Sequence, residues 1–320
     1  SSNAIFHIPA CGLLNERNGL TVFSYPDKEG IHGDLFAAVF WWATGYAYQS
    51  EPRYDIHGRY DFASYTHIKN KLHTKPQVHT YAHLLGVLLR PNLPDFSKPA
   101  RTYKPSVTID VDRPWLFRHK SLHIIIGSLL KNVARLDFPM LKAQASALLG
   151  GHDPNDTFHE IFENTASEST RFFFLLERKH VYDTRHTWRK PAVRKLIRKV
   201  AAKGYGLGIH PSFTTFLEPA SIIDEVERLR KITGAEITHS RMHFLRYRQP
   251  ETFRALIQAG IKHDYSTGLY HDLGFAYGMA IPFPWFDLEK NEETDLILHP
   301  TIAMDRTMLS YLNLQPDDAL

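Results

Sequence analysis

Cysteine is almost absent: Cys11 stands alone in a chain of 320 residues. That excludes an intrachain disulfide, and nothing in the thiol content asks for an oxidising compartment. Long hydrophobic runs are missing too. None reaches the roughly 18 residues a membrane span needs, and the strongest, LFAAVFWWA at 35–43, reads as a buried helix. There is no internal repeat and no low-complexity tract. Charge of one sign is scarce: the formal net charge is +4 and the pI about 8.9, too mild for a nucleic-acid surface. The one basic run, RKPAVRKLIRKVAAK at 189–203, alternates an apolar face with a solvated one and reads as an amphipathic helix. RFFFLLE at 171–177 reads as a buried strand, not a stacking platform. LNERNGL and the scattered glycines make no phosphate loop.

What is present is an ordinary globular composition with 19 histidines, enough to make imidazole chemistry a theme. The length suits two domains, or one barrel with an added segment. SSNA at 1–4 reads as a cloning remnant, and Ile5 follows without a Met. The expected compartment is the cytoplasm, with the periplasm or secretion as the alternative.

Residues 5–100 are rich in aromatics, His and Pro. A helix is expected over Asp34–Tyr48, capped by Asp34, with Leu35, Ala38, Val39 and Trp42 on one face. A second is expected over Gln77–Arg90. The proline-rich stretch 90–105 reads as a linker. Beyond it, strands are expected at 106–112, 171–176, 205–210, 236–243, 261–265, 279–283 and 294–299. Helices at 191–203, 221–233 and 250–259 each end at a glycine before the next strand, the pattern of βα units on a mostly parallel sheet. Long helices are also expected over 120–149 and 153–163. The expected fold is α/β, a distorted (β/α)7-type barrel over 101–320 with a mixed, mainly helical N-terminal extension over 5–100.

SVTIDVDRPW at 106–115 carries the chemistry. Val107, Ile109 and Val111 alternate with Thr108, Asp110 and Asp112, so two carboxylates project to one side at the end of a strand. Two such charges raise each other's pKa unless a cation accepts them. Other polar groups gather at strand ends: His210, Ser212 and Thr214 in GIHPSFT, His239, Arg241 and His243 in HSRMHF, Asp264 and Ser266 in DYS, and His299 in LILHP. In a parallel βα barrel chemistry collects at those ends. Singly, each has a bland reading as a turn former, a satisfied histidine or a neutralising arginine. Their joint occurrence favours a site.

The order TIDVD, GIHPS, RMHFLR, DYSTG, LILHP over 106–300 resembles the polysaccharide deacetylases of the NodB-homology type, carbohydrate esterase family 4. It is most similar to a bacterial branch with an N-terminal region containing stretches like DLFAAVFWWATGYAY and DIHGRYD. The resemblance implies removal of N-acetyl groups from a sugar polymer with a divalent metal, usually zinc, with cobalt, nickel or manganese as alternatives. It implies Asp110 as general base, Asp112 and His210 as metal ligands, Arg241 as the group orienting the base and His299 as general acid. Asp264 falls near that machinery. The second motif usually has two histidines four residues apart, and Thr214 stands in the second place. His243 is then the candidate third ligand, with Ser212 or Thr214 as weak oxygen ligands. The expected partner is an N-acetylated carbohydrate, with no nucleic acid and no membrane span. Two other readings stay open: a barrel that lost catalysis and binds carbohydrate or protein, and a hydrolase of O-acetyl esters or cyclic amides.

Overall fold

The structure, a computed structural model, describes residues 25–27, 30–32, 34–90, 102, 104–315 and 317. In chain order its strands and helices are β1 (Tyr25–Asp27), β2 (Gly30–His32), α1 (Leu35–Ala43), α2 (Tyr46–Ser50), α3 (Thr66–Lys69), α4 (Gln77–Leu89), β3 (Val107–Val111), α5 (Leu122–Ala134), α6 (Phe138–Leu148), α7 (Phe158–Asn164), β4 (Thr170–Phe174), α8 (Pro191–Ala202), β5 (Gly206–Ile209), α9 (Ile222–Thr233), β6 (His239–Ser240), α10 (Glu251–Gln258), β7 (His263–Asp264), β8 (Phe283–Asp287) and β9 (Glu292–Leu298). The chain divides into two compact units. One comprises Ser1–Tyr103, Phe244–Ile257 and Lys262–Leu320, the other Lys104–His243 and Gln258–Ile261. Both are mixed α/β; the strand pairs of the Lys104–His243 unit are parallel, and the longest ladder of the other unit, β8–β9, is antiparallel. The expected boundary between residues 100 and 101 and most of the proline-rich linker lie outside the described residues, as do Cys11 and residues 1–4.

In the Lys104–His243 unit, β3, β4, β5 and β6 form parallel pairs in that order. Val111 lies opposite Phe174, Phe174 opposite Ile209, and Ile209 opposite Ser240. This register brings the carboxyl ends of four strands level. The ladder runs on past them: His210 N donates to the Phe174 carbonyl (3.0 Å) and Arg241 N to the Ile209 carbonyl (3.0 Å). Strand β5 sits close to its neighbours. A Cβ on Gly208 would lie 2.4 Å from the Phe173 ring and 2.9 Å from the His239 carbonyl, so only glycine fits there. Helix α8 starts on Pro191 and buries Val193, Leu196, Ile197 and Val200, as its spacing predicts. Helix α9 ends at Gly234 in the left-handed conformation (φ 72°).

Three expectations for this unit change. β3 pairs on one side only among the described residues, so Val107 is exposed and Ile109 half-buried; only Val111 is buried. The single helix expected over 120–149 is a hairpin. Leu136 takes a left-handed turn (φ 53°), and the Asp137 carboxylate caps α6 by accepting from Met140 N (3.1 Å). The helix expected from Asp153 begins instead at Phe158. Asp153 is fully buried and turned to another use: its carboxylate accepts the N–H groups of Leu116 (2.7 Å), Phe117 (2.9 Å) and Arg118 (3.0 Å).

Asp153 therefore anchors the loop that follows Asp112. Burial pushes its carboxyl up, but the N–H groups of Arg118, Leu116 and Phe117 outweigh it and hold it below the usual value. A lowered folded-state value stabilises the fold above the unfolded carboxylate range and loses that contribution as pH falls through the folded value. Asp153→Ala leaves four N–H donors, those of Leu116, Phe117, Arg118 and Asn155, without their acceptor. It is expected to cost about 3 kcal/mol, read as a lower urea midpoint at neutral pH, with the deficit shrinking below about pH 4. An unchanged midpoint refutes the anchor.

In the other unit, Asp34 caps α1 as expected, accepting from Ala37 N (2.8 Å). Leu35, Ala38, Trp41, Trp42 and Tyr81 form its apolar cluster, so the tryptophan pair belongs to the core. The helix expected over 34–48 breaks at Gly45 (φ 63°), where a Cβ would strike the Tyr277 ring. β7 and β9 are parallel, with Asp264 opposite Leu298, and β8 runs antiparallel to β9. The strand expected at 279–283 starts only at Phe283, beyond Pro282. No helix among the described residues is long and apolar enough to cross a membrane.

Candidate metal centre

Asp110 is the fourth residue of β3, Asp112 follows its end, His210 follows β5, and Arg241 follows β6. His243 lies two residues further on. The expected strand 236–243 is only His239–Ser240, and the turn after it, not strand alternation, delivers His243. His243 N donates to the Pro211 carbonyl (3.3 Å), tying that turn to the loop carrying His210. His239 bonds the Thr238 hydroxyl (2.9 Å).

Three side chains converge. His210 Nε2 lies 3.5 Å from Asp112 Oδ1, His243 Nδ1 lies 3.7 Å from the same oxygen, and the two ring nitrogens are 3.1 Å apart. The outer nitrogens determine what the inner ones carry. His210 Nδ1 lies 2.5 Å from the Arg241 carbonyl and His243 Nε2 lies 3.2 Å from the Tyr182 carbonyl. A carbonyl only accepts, so both outer nitrogens hold protons, and in the neutral imidazoles both inner nitrogens present lone pairs. Burial, with His210 close by, lowers the His243 pKa against the opposing pull of Asp112, favouring that neutral form. Asp112 Oδ1 is buried without a hydrogen-bond donor. Three electron pairs thus face one another.

Such a cluster can hold a metal ion. With ligand bonds of about 2.0–2.1 Å, tetrahedral donors stand about 3.3 Å apart, and the three separations here are 3.1, 3.5 and 3.7 Å. Asp, His and His suit a borderline-soft divalent ion. Three protein donors leave a coordination position open, as catalytic sites do. The Asp112 side chain is 41% exposed, so the cluster opens to solvent on that side.

Asp110 stands beside this group. Arg241 Nη1 donates to its Oδ1 (3.1 Å), and its Oδ2 lies 3.9 Å from His210 Nε2. Burial pushes the Asp110 carboxyl up, but Arg241 and His210 outweigh it and hold it below the ordinary carboxylate value. It is ionised at neutral pH, and its side chain is 32% exposed. An ionised carboxylate thus sits next to the candidate cation site.

Comparison with known proteins adds little at this level. Residues 5–94 match a model described as "Family of unknown function (DUF7033)". No curated protein matches. Among solved structures, the chain is similar to a "putative polysaccharide deacetylase from Mycobacterium smegmatis", with 13% identity and a TM-score of 0.34, over 64% of this chain and 62% of that one. So distant a likeness carries no weight for fold or chemistry.

Ser212 and Thr214 do not join the cluster. Ser212 is buried and committed elsewhere: its Oγ donates to Glu225 Oε1 (2.5 Å) and its N–H to Glu225 Oε2 (2.9 Å). Thr214 lies in the following turn, its Oγ1 buried without a hydrogen-bond partner. Asp264 and His299 belong to the other unit. There the fully buried Asp264 carboxylate accepts Ser266 N (2.8 Å) and Oγ (2.9 Å). His299 N donates to the Asp264 carbonyl (2.8 Å), and its ring stacks on Tyr265 at 4.1 Å and meets His263 at 3.1 Å.

Two residues that the motifs pass over hold the ligand loops. Glu225, on α9, clamps Ser212 and is met by Lys179 Nζ at 3.2 Å. Asp183 accepts Phe213 N (2.8 Å) while also binding the N–H groups of Lys179 (2.9 Å) and His180 (2.7 Å). Its loop thereby presents the Tyr182 carbonyl to His243. Glu225 left a signal in the sequence: it falls on the apolar face with Ile222, Val226 and Leu229, where a charge needs a partner. Asp183 left none, because its partner Phe213 is distant in sequence.

Proposed function

We propose that this chain is a metal-dependent hydrolase that removes N-acetyl groups from sugars of a polysaccharide or glycan precursor, on a distorted (β/α)7-type barrel. The observation carrying this reading is the convergence of lone pairs from Asp112, His210 and His243 beside an ionised Asp110. The N-acetylated sugar comes from the order of the motifs. Zinc is the proposed metal, because three nitrogen and oxygen donors at near-tetrahedral spacing suit it; cobalt, nickel or manganese are the alternatives.

A bound divalent ion supplies Lewis-acid polarisation of the acetyl carbonyl and acidification of water. The chain's own residues do the rest. Asp112, His210 and His243 hold the ion. Asp110 takes the proton of the attacking water, and Arg241 keeps it ionised and aimed. His299 is the proposed acid that gives a proton to the departing sugar amine, with Asp264 supporting its strand end. Ser212 and Thr214 shape the loop behind His210.

The test is acetate release from N-acetylated oligosaccharides by metal-stripped and zinc-reloaded protein, with O-acetylated sugars in parallel. Release restored at least a hundredfold by zinc is expected, on the N-acetylated set. Metal-loaded protein inert on both sets refutes the hydrolase, and release confined to O-acetyl sugars refutes the substrate.

A further inference from the structure

The two loops that serve the metal centre carry unmatched cations at their other ends. The loop after β3 begins with Asp112, and the loop after β4 presents the Tyr182 carbonyl to His243. Residues 113–120 and 184–190 of these loops contain Arg113, Arg118, Lys120, Arg185, Arg189 and Lys190, and no acid. The loops meet at one junction. His186 Nε2 lies 3.1 Å from the Arg118 carbonyl, and Lys190 Nζ donates to the His119 carbonyl. The Trp115 ring joins them, meeting His119 at 4.5 Å and His186 at 5.5 Å, both edge to face. Lys120 and Arg185 flank the joined residues, and Arg113 stands between Asp112 and this junction.

Neighbouring carboxylates do not balance this charge. Asp156 takes Arg118 (3.5 Å) and Glu177 takes Arg189 (3.6 Å), while Asp153 is committed to backbone N–H groups. Among the described residues, Arg113, Lys120, Arg185 and Lys190 meet no carboxylate. Two features separate them from an ordinary solvated rim. Lys120 Nζ donates to the Leu116 carbonyl as Lys190 Nζ does to that of His119. Each carbonyl takes one proton of its ammonium and fixes it in place, leaving two N–H groups for a ligand. Both lysines are also half-buried. Burial, then Arg185, pull Lys120 below the usual lysine value, and burial does the same to Lys190. Cations crowded and fixed before any ligand arrives suit an oxyanion, which meets ammonium groups and an arginine fork together.

We propose that Arg113, Lys120, Arg185 and Lys190 form an anion-binding subsite beside the metal centre, which takes a carboxylate or phosphate carried by the sugar polymer. That the anion arrives on a sugar rests on the proposed deacetylation; the anion site itself does not. The first measurement is the thermal melt of the metal-stripped full chain with glucuronate, inorganic phosphate or glucose. Stripping excludes ligation of the anion to the metal. Both anions are expected to raise the melt, less so at high salt, and glucose to leave it unchanged. Lys120→Gln and Arg185→Gln should each weaken anion binding about tenfold. Arg185 is exposed, so Arg185→Gln carries the test if Lys120→Gln fails to fold. No rise with either anion, or a rise that the variants keep, overturns the subsite. The second measurement is acetate release by zinc-loaded protein from three oligosaccharides: a neutral N-acetylglucosamine oligomer, one bearing phosphate, and one alternating with glucuronate. KM is expected to be about tenfold lower on an acidic oligomer, an advantage lost in Arg185→Gln. The better acid identifies the source of the anion. Equal KM on all three overturns the proposal while the hydrolase stands. Anion binding without acetate release from any of them upholds the subsite and refutes the deacetylase.

Discussion

Asp112→Asn is expected to move two measurements in opposite directions: metal affinity falls about a hundredfold, while the metal-free protein becomes more stable. The first part follows from the donor set. Binding worth roughly 10–16 kcal/mol over four ligands assigns about 3 kcal/mol to each, and the amide replaces the only anion among the three. The second part follows from the lone pairs. In metal-free protein Asp112 Oδ1 stands 3.5 Å from His210 Nε2 and 3.7 Å from His243 Nδ1, the ring nitrogens that carry lone pairs in the neutral imidazoles. An asparagine can turn an N–H toward those acceptors and gain about 1 kcal/mol. Metal titration by calorimetry and metal-free urea melts read the two effects. His243→Ala should likewise lose the ion, but without the gain in metal-free stability, because it vacates a buried site and abandons the Tyr182 carbonyl. Wild-type affinity in Asp112→Asn, or a metal-free variant less stable than wild type, would falsify the convergence of lone pairs.

How much of this was legible beforehand depends on distance along the chain. Local signals carried well. The period-2 run into Asp110, the Pro191 start of α8 and the Gly234 end of α9 are decided by backbone sterics within a few residues, and each element stands within about two residues of its expected bounds. Failures occurred where a remote partner overruled a local preference. Asp153 has the makings of a helix cap, yet three N–H groups of the 116–118 loop claim its carboxylate. The run 120–149 has helical periodicity throughout, and the left-handed turn at Leu136 exists because the two halves pack on each other through Gln144. The metal cluster shows both cases. Asp110 and Asp112 announced themselves by spacing, and His243 was reached through the gap at Thr214. The pairing of each imidazole with a backbone carbonyl, which turns two histidines into lone-pair donors, involves residues 31 and 61 positions apart, beyond any local pattern.

Asp110→Asn is expected to retain the metal and lose the reaction. The carboxylate touches Arg241 at 3.1 Å, while Asp112, not Asp110, closes the triangle with the two imidazoles. Removing its charge should therefore leave metal stoichiometry near wild type, in contrast to the Asp112 variant. The amide cannot take a proton from water, and loss of a positioned general base lowers the rate on the order of a hundred- to ten-thousandfold. The loss should appear in kcat more than in KM, since the ground-state sugar does not need that charge. Arg241→Ala gives the complementary result. Burial alone pushes the Asp110 carboxyl up, and without the guanidinium that pull loses its strongest opponent. The ionised fraction then falls with pH at a higher value than in wild type, so Arg241→Ala should lose activity first on the acidic side and recover part of it as pH rises. Acetate release followed across pH at saturating zinc reads this directly. An Asp110→Asn enzyme within a few-fold of wild type would remove Asp110 from the role of base, leaving it as a counter-charge for Arg241.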